Sequence, residues 1–201
     1  MSDSQLILAA VVVVAILIVA ALAISMHQRG SQKERSATLR DSFGAEYDRT
    51  LADKGDARSA ERELTDRQKR VAKLNIRPLT ADEGQGFRNE WQAVQLSFVD
   101  DPALAARNAD ALVVRVMDIR GYPTGDFDQR FADLSVDHPA ALDHFRSAHE
   151  IGLRYAQGQA TTEDLRQAVV NEHALLTEFL DEVPAAEPAS DATEVPTAVA
   201  V

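Results

Sequence analysis

The segment TADEGQGFRNEWQAVQLSFVDDPALAARNADALVVRVMDIRGYP, residues 80–123, decides the fold class. It begins with Thr80 and Glu83, spaced as a capping box in which a hydroxyl and a carboxylate bind opposing backbone amides at a helix start. Apolar residues then recur at intervals of three and four, the period of one helix face. Trp91 belongs to this stripe, so we expect it in a core rather than on an exposed ligand platform. The stripe is Phe87, Trp91, Val94 and Phe98.

A second helix follows within the same segment. Asp101 is placed as an N-cap and Pro102 as a first-turn residue, where the missing N–H of proline costs nothing. Gly121 and Pro123 predict its end. The apolar stripe between these boundaries is Ala105, Ala109, Leu112, Val116 and Ile119.

Towards the C-terminus the pattern stays helical up to Glu182. A short helix is predicted over residues 126–134, and we interpret Asp137 and His138 as capping residues rather than as an acid–base pair, because Pro139 suits a helix start. Two longer helices follow, separated by the turn GQATTED with a threonine cap. No stretch alternates with period two. Residues 78–182 are therefore predicted to form a small, acidic, all-α helical bundle.

Towards the N-terminus, residues 26–77 are charged and favour helix. Leu39, Phe43, Tyr47 and Leu51 share one face, whereas the helix that starts near Asp56 has only a thin apolar stripe. A helix of this kind packs weakly or pairs with another helix. We interpret the segment as a charged helical stalk.

The run LILAAVVVVAILIVAALAI, residues 6–24, contains no charged residue. A bilayer core about 30 Å thick needs roughly 20 apolar residues in a helix. We therefore predict a transmembrane helix over residues 6–25 after a short extracytoplasmic N-terminus at residues 1–5. A cleaved signal is the alternative, but MSDSQ lacks the basic residues that a signal requires. The residues predicted to lie in the membrane include Leu6, Val13, Ile16 and Leu22.

The flanks of this run predict its orientation. No Lys or Arg precedes the run, whereas four follow it by residue 40. Basic flanks tend to stay in the cytoplasm. We expect a single-pass protein of the cell membrane with a cytoplasmic C-terminal domain; the alternative is an extracytoplasmic domain held by the same helix. The four basic residues are Arg29, Lys33, Arg35 and Arg40.

Composition restricts the function classes. The chain has no cysteine, which excludes disulfides and thiolate chemistry. Residues 27–77 hold 13 Lys and Arg against 9 Asp and Glu, whereas residues 78–182 hold 8 against 19. A nucleic-acid partner does not fit the acidic part. Residues 183–201, rich in Ala, Pro and acids, are predicted to be a disordered acidic tail.

Six segments resemble a family of uncharacterised bacterial proteins with one N-terminal membrane segment and a helical domain. They span from about Phe43 to Leu180 and stand at predicted helix boundaries. The resemblance implies the same layout and carries over no activity, cofactor or catalytic residue. The segments are FGAEYDRT, LNIRPLT, FVDDP, RGYP, LSVDHP and TTEDLRQA.

Three histidines, His144, His149 and His173, offer the sharpest enzyme-like alternative. They are weak candidates for a metal site, since a zinc or di-metal site needs at least three converging ligands at His-x-x-x-His or Glu-x-x-His spacings, which these residues lack. We therefore expect no metal, no cofactor and no catalytic residue.

The densest basic run is RQKRVAK, and it suggests contact with anionic lipid headgroups or with an acidic partner. Exposure of a charged stalk explains the same run without any ligand. The function we predict is a membrane-anchored protein-interaction or scaffolding module, with a protein partner or self-association. The alternatives are an envelope-facing structural protein and a histidine-containing metal-binding or enzymatic domain. The candidate contacts in the run are Arg67, Lys69, Arg70 and Lys73.

Overall fold

The computed structural model describes residues 33–183, and every regular element in that range is an α-helix. The prediction of an all-α fold is therefore confirmed for this part of the chain. The helices are α1 (33–43), α2 (Ala45–Lys54), α3 (Ala57–Val71), α4 (Ala81–Ser97), α5 (Pro102–Arg120), α6 (Phe127–Asp137), α7 (Leu142–Ala156) and α8 (Thr162–Asp181).

A smaller unit comprises the described residues up to Val71 together with Ser135–Pro139. Its core is formed by Leu39, Phe43, Tyr47 and Leu64, with Leu51 packed against them. The apolar face predicted for α1 and α2 is thus buried, and the thin stripe of α3 pairs with it. The described part of the segment interpreted as a stalk has a core of its own.

A larger unit comprises residues 72–134 and 140–183. Helix α8 packs against both α5 and α7, and α4 packs against α5. Trp91 lies in this core, as its helical spacing predicts. The chain therefore buries most of the predicted stripes of α4 and α5. The exception is Ile119, which is predicted at the end of the α5 stripe and is 38% exposed.

The helix ends in the larger unit form where the side chains predict them. The Thr80 hydroxyl accepts from the Glu83 N–H at 3.2 Å, and the Glu83 carboxylate accepts from the Thr80 N–H at 2.8 Å. The Asp101 carboxylate accepts from the Leu104 N–H ahead of Pro102. Gly121 ends α5 in the left-handed region at φ 98°. These boundaries are confirmed.

One predicted boundary is wrong. Asp137 is the last residue of α6, and His138 is almost fully buried instead of capping the next helix. Helix α7 begins only at Leu142, and its N-cap Ala141 makes no side-chain cap bond. Pro139 lies in the intervening turn, so here proline separates two helices rather than starting one.

None of the helices within residues 33–183 is long and apolar enough to cross a bilayer. The predicted span at residues 6–25, with Leu6, Val13, Ile16 and Leu22, lies outside the described residues. So does the predicted tail beyond Val183.

Candidate ligand-binding groove

The three histidines each contact a different partner. His144 Nδ1 lies 3.0 Å from Asn171 Oδ1. His149 stacks on Phe127 with ring centroids 3.6 Å apart, and His173 stacks on Trp91 at 4.7 Å. No group of three or more His, Asp or Glu residues suited to a metal ion occurs between residues 33 and 183.

The four candidates of the basic run lie in unlike environments. The Arg67 side chain is only 12% exposed, and it donates to Glu46 at 3.0 Å and to Glu63 at 3.1 Å. Lys69 is exposed and pairs with Asp66 at 3.2 Å. Lys73 is exposed as well, and Arg70 is half-buried. Arg67 therefore belongs to the interior of the smaller unit, and Lys69 and Lys73 are the exposed candidates.

A groove in the larger unit is lined by α5, α7 and α8 and has a volume of about 560 Å³. Small-molecule and side-chain sites commonly fall between about 300 and 1,000 Å³. Six small residues, contributed by all three helices, allow close approach of an occupant. They are Ala103, Ala106, Ala148, Gly152, Ala156 and Ala168.

Larger apolar side chains complete the lining of this α5–α7–α8 groove. They include Leu165, which is buried, and Leu153 and Tyr155, which are 52% and 38% exposed. A Cβ added to Gly152 would meet no atom within 4 Å, so the space above this part of α7 is open. The groove is thus an apolar trough left uncovered within the described chain.

Glu172 is the buried polar residue of the groove. It lines the groove while being only 3% exposed, and its Oε2 has no hydrogen-bond partner among the residues described. Burial raises the pKa of this carboxyl to about 8, with a further contribution from the Asp110 carboxylate, and Arg130 opposes the shift. Glu172 therefore holds a proton at neutral pH.

Arg107, Asp110 and His149 are the other acidic and basic residues of the lining. Arg107 and Asp110 are exposed on α5. Burial lowers the pKa of His149, and Arg130 lowers it further, so the imidazole is neutral at pH 7. The groove thus combines an apolar lining with an unpaired buried acid, an exposed carboxylate and an exposed guanidinium.

A second cleft, of about 400 Å³, lies between α4 and α5. Its charged residues Glu90 and Arg115 form an ion pair with each other. A pair that is already satisfied offers a ligand less than the unpaired carboxyl oxygen of Glu172 does. The α5–α7–α8 groove is therefore the stronger candidate.

Comparisons of the chain with models of known protein families, with curated proteins and with solved structures found no match.

Glu172, Asp110 and Arg107 are absent from the candidates that sequence patterns suggest. A signal for Glu172 was available, because it falls three residues after Val169 and four before Leu176, on the apolar stripe of α8. An acid on such a stripe is unusual, since Glu is seldom fully buried unless it is paired. Asp110 and Arg107 carry no comparable local signal.

Proposed function

We propose that this protein is a membrane-anchored interaction module whose larger unit receives a helical segment of a protein partner in the α5–α7–α8 groove. One observation supports this proposal above the others: an apolar trough lined by Ala and Gly lies open, with Leu153 and Tyr155 exposed along it. Helix-in-groove recognition uses a surface of this kind. Small side chains let a second helix backbone approach closely.

The anchoring part of the proposal rests on the predicted span at residues 6–25. A membrane helix would raise the effective concentration of the groove near membrane partners. The exposed Lys69 and Lys73, with the half-buried Arg70, are proposed to favour anionic headgroups, an attraction of about 1 kcal/mol for each basic residue near the surface. We propose a cytoplasmic location for the groove, and an extracytoplasmic one is the alternative.

Binding rather than catalysis is the proposed activity. The three histidines are held by separate aromatic or amide contacts. The ionisable lining of the groove contains no nucleophile paired with a base among the described residues. These observations support a module that acts by contact.

Site-specific photocrosslinking in the native cells tests the groove. The full chain carries p-benzoylphenylalanine in place of Tyr155, which lines the groove, or in place of Val99, which is 85% exposed and is not part of its lining. We expect one discrete adduct from position 155 and not from position 99. Mass spectrometry of the adduct should identify a helical segment of the partner.

The matched variants are Gly152→Leu and Gly152→Ala. A Cβ at position 152 meets no atom within 4 Å, so a leucine side chain extends into the open space above α7, whereas alanine leaves most of the trough open. We expect Gly152→Leu to abolish the adduct at position 155 and Gly152→Ala to preserve most of it, with both variants folded by circular dichroism. Adducts that are insensitive to Gly152→Leu would overturn the proposal.

A further inference from the structure

The buried carboxyl group of Glu172, which has an unpaired oxygen, indicates the chemistry of the occupant. Its Oε2 is buried without a hydrogen-bond partner in the described range, in a groove that is otherwise mostly apolar. An unsatisfied buried oxygen is costly to a fold, and a ligand that donates a hydrogen bond to it recovers that cost on binding. The occupant should therefore bring a donor group to this point.

The charged groups around Glu172 favour a cation. Helix α5 contributes the carboxylate of Asp110 and the guanidinium of Arg107. Helix α6 contributes Arg130, and α7 contributes the neutral imidazole of His149. Arg130 is not part of the lining, and its guanidinium carbon lies 5.8 Å from the Phe145 ring centroid. Once Glu172 ionises, the groove lining carries two carboxylates against one guanidinium. The wider field is also negative, with 19 acidic against 8 basic residues from 78 to 182.

The apolar walls of the groove favour a cation that is attached to an alkyl chain. An ammonium on an alkyl stem can lay its methylene groups along Ala and Leu side chains while its head reaches a buried acceptor. A lysine within an apolar helix face has this form. We infer that the partner segment inserts a lysine whose ammonium group pairs with Glu172 and Asp110 in the α5–α7–α8 groove. This inference rests on the proposed function and names the chemistry of the partner.

Pairing implies that a proton is released. In the empty groove the pKa of Glu172, about 8, keeps the carboxyl protonated at pH 7. When R–NH₃⁺ enters, the Glu172 O–H bond breaks, the proton passes to bulk buffer, and the carboxylate oxygen accepts an N–H of the ammonium. The apparent affinity should therefore rise about ten-fold per pH unit below pH 8 and level off above it.

The first probe is n-butylammonium chloride, which is the lysine side chain as a free molecule. The full chain, reconstituted in lipid nanodiscs, is titrated between pH 6 and pH 9 while the methyl resonances of Ala106, Ala148 and Leu153 are followed by NMR. We expect saturable shifts with the pH dependence given above, weaker binding of 1-butanol, and none of butyrate. Equal binding of 1-butanol, or affinity independent of pH, would overturn the inference.

Two variants with the same change of charge separate pairing from general electrostatics. Glu172→Gln removes the buried acid, and Glu150→Gln removes an exposed one next to His149 on α7. We expect Glu172→Gln to lose at least ten-fold in affinity at pH 8 together with all pH dependence. Glu150→Gln should keep both. The opposite pattern contradicts the inference.

A peptide pair distinguishes a partner's lysine from a free amine. An amphipathic 16-residue Ala/Leu helix with one central lysine is compared with the same helix carrying norleucine, which lacks only the ammonium. If the lysine peptide binds more tightly than n-butylammonium, and Glu172→Gln removes this advantage, a partner segment is supported as the source of the amine. If the peptide and the free amine bind with equal affinity, a partner segment is ruled out as the source. If the Tyr155 adduct forms and Gly152→Leu abolishes it while the lysine and norleucine peptides bind alike, the groove function stands and the lysine inference fails.

Discussion

Two buried glutamates in this chain differ in whether their carboxyl groups have a charged partner. Glu46, in the smaller unit, is 5% exposed and accepts a hydrogen bond from Arg67 at 3.0 Å. Glu172, in the larger unit, is 3% exposed, and its Oε2 has no partner in the described part of the protein. A paired buried charge supports a fold only while both partners are present. An unpaired buried acid instead stays protonated until a ligand supplies a positive charge or a hydrogen-bond donor.

Replacing Arg67 with Gln should destabilise the fold. The substitution removes the guanidinium that pairs with the buried Glu46 carboxylate, and breaking such a buried pair typically costs roughly 3–5 kcal/mol. Lys69→Gln is the matched control, because its partner Asp66 is exposed and such surface pairs are worth about 0–1 kcal/mol. Urea unfolding of both variants, followed by circular dichroism, measures the difference. Equal losses from the two substitutions would show that the burial of Arg67 has no energetic consequence.

Replacing Glu172 with Gln should stabilise the protein increasingly as the pH rises. In the unfolded chain the carboxyl ionises above its ordinary pKa of 4.5, whereas in the folded protein it stays protonated up to about pH 8. The folded state therefore binds more protons between these values, and wild-type stability falls as the pH rises through that window. Glutamine removes this pH dependence. The free energy of unfolding of the variant, relative to that of the wild type, should therefore increase by roughly 2 kcal/mol or more between pH 5 and pH 8.

Thermal unfolding of wild type and Glu172→Gln at pH 5 and pH 8 checks this expectation. Glu150→Gln serves as the control, because it makes the same substitution at an exposed position of α7. A Glu172→Gln effect that does not change with pH would mean that the acid is ionised in the folded groove.

At the scale of helices, most helix ends are predictable because the capping interactions that fix them involve residues adjacent in sequence. Thr80 with Glu83, and Asp101 ahead of Pro102, satisfy backbone amides within one turn, so a few adjacent residues suffice to place the boundary. The failure at His138 has the opposite cause. His138 is buried and belongs to Ser135–Pro139, which cluster with residues that precede them by more than 60 positions, and local capping rules contain no information about such residues.

The groove could not be predicted for the same reason. Ala106, Gly152 and Ala168 come from three helices that are distant in sequence, and each reads locally as a small residue on a helix. Only the packing of α8 against both α5 and α7 brings them together. Glu172 was detectable as an acid on an apolar stripe, but the space beside it was not. Sequence patterns thus predict the elements well and the site poorly.

Two glycines in the larger unit should respond oppositely to alanine. A Cβ on Gly121 would lie 2.5 Å from the Asn75 carbonyl oxygen at a φ of 98°, so Gly121→Ala should cost roughly 2 kcal/mol or more. Gly86 lies inside α4 with open space around its Cα, so Gly86→Ala should stabilise by about 0.5–1 kcal/mol. Chemical unfolding of the two variants and of the wild type measures the sign of each change in the free energy of unfolding. Similar effects from both would contradict the close approach of α5 to residue 75.

At the scale of the whole molecule, charge changes sign along the chain. The basic residues are concentrated between residues 27 and 77, next to the predicted membrane span, and the groove belongs to the acidic part that follows. Basic segments near a bilayer are attracted to anionic headgroups, while acidic segments are repelled by them. This order is consistent with a protein whose first segment meets the membrane surface and whose acidic unit is available to cationic partners.

The same charge order predicts the topology of the chain. A compartment-specific reporter fused after Glu182, with residues 1–40 kept native, should give a cytoplasmic signal, because Lys and Arg on the C-terminal flank of the span resist translocation. Replacing Arg29, Lys33, Arg35 and Arg40 with Gln should shift part of the population to the opposite orientation, whereas replacing Lys69 and Lys73, which lie farther than about 20 residues from the span, should not. An extracytoplasmic signal from the native chain would reverse the orientation. It would place the α5–α7–α8 groove among envelope proteins, so the proposed lysine-bearing partner would then have to be sought outside the cytoplasm.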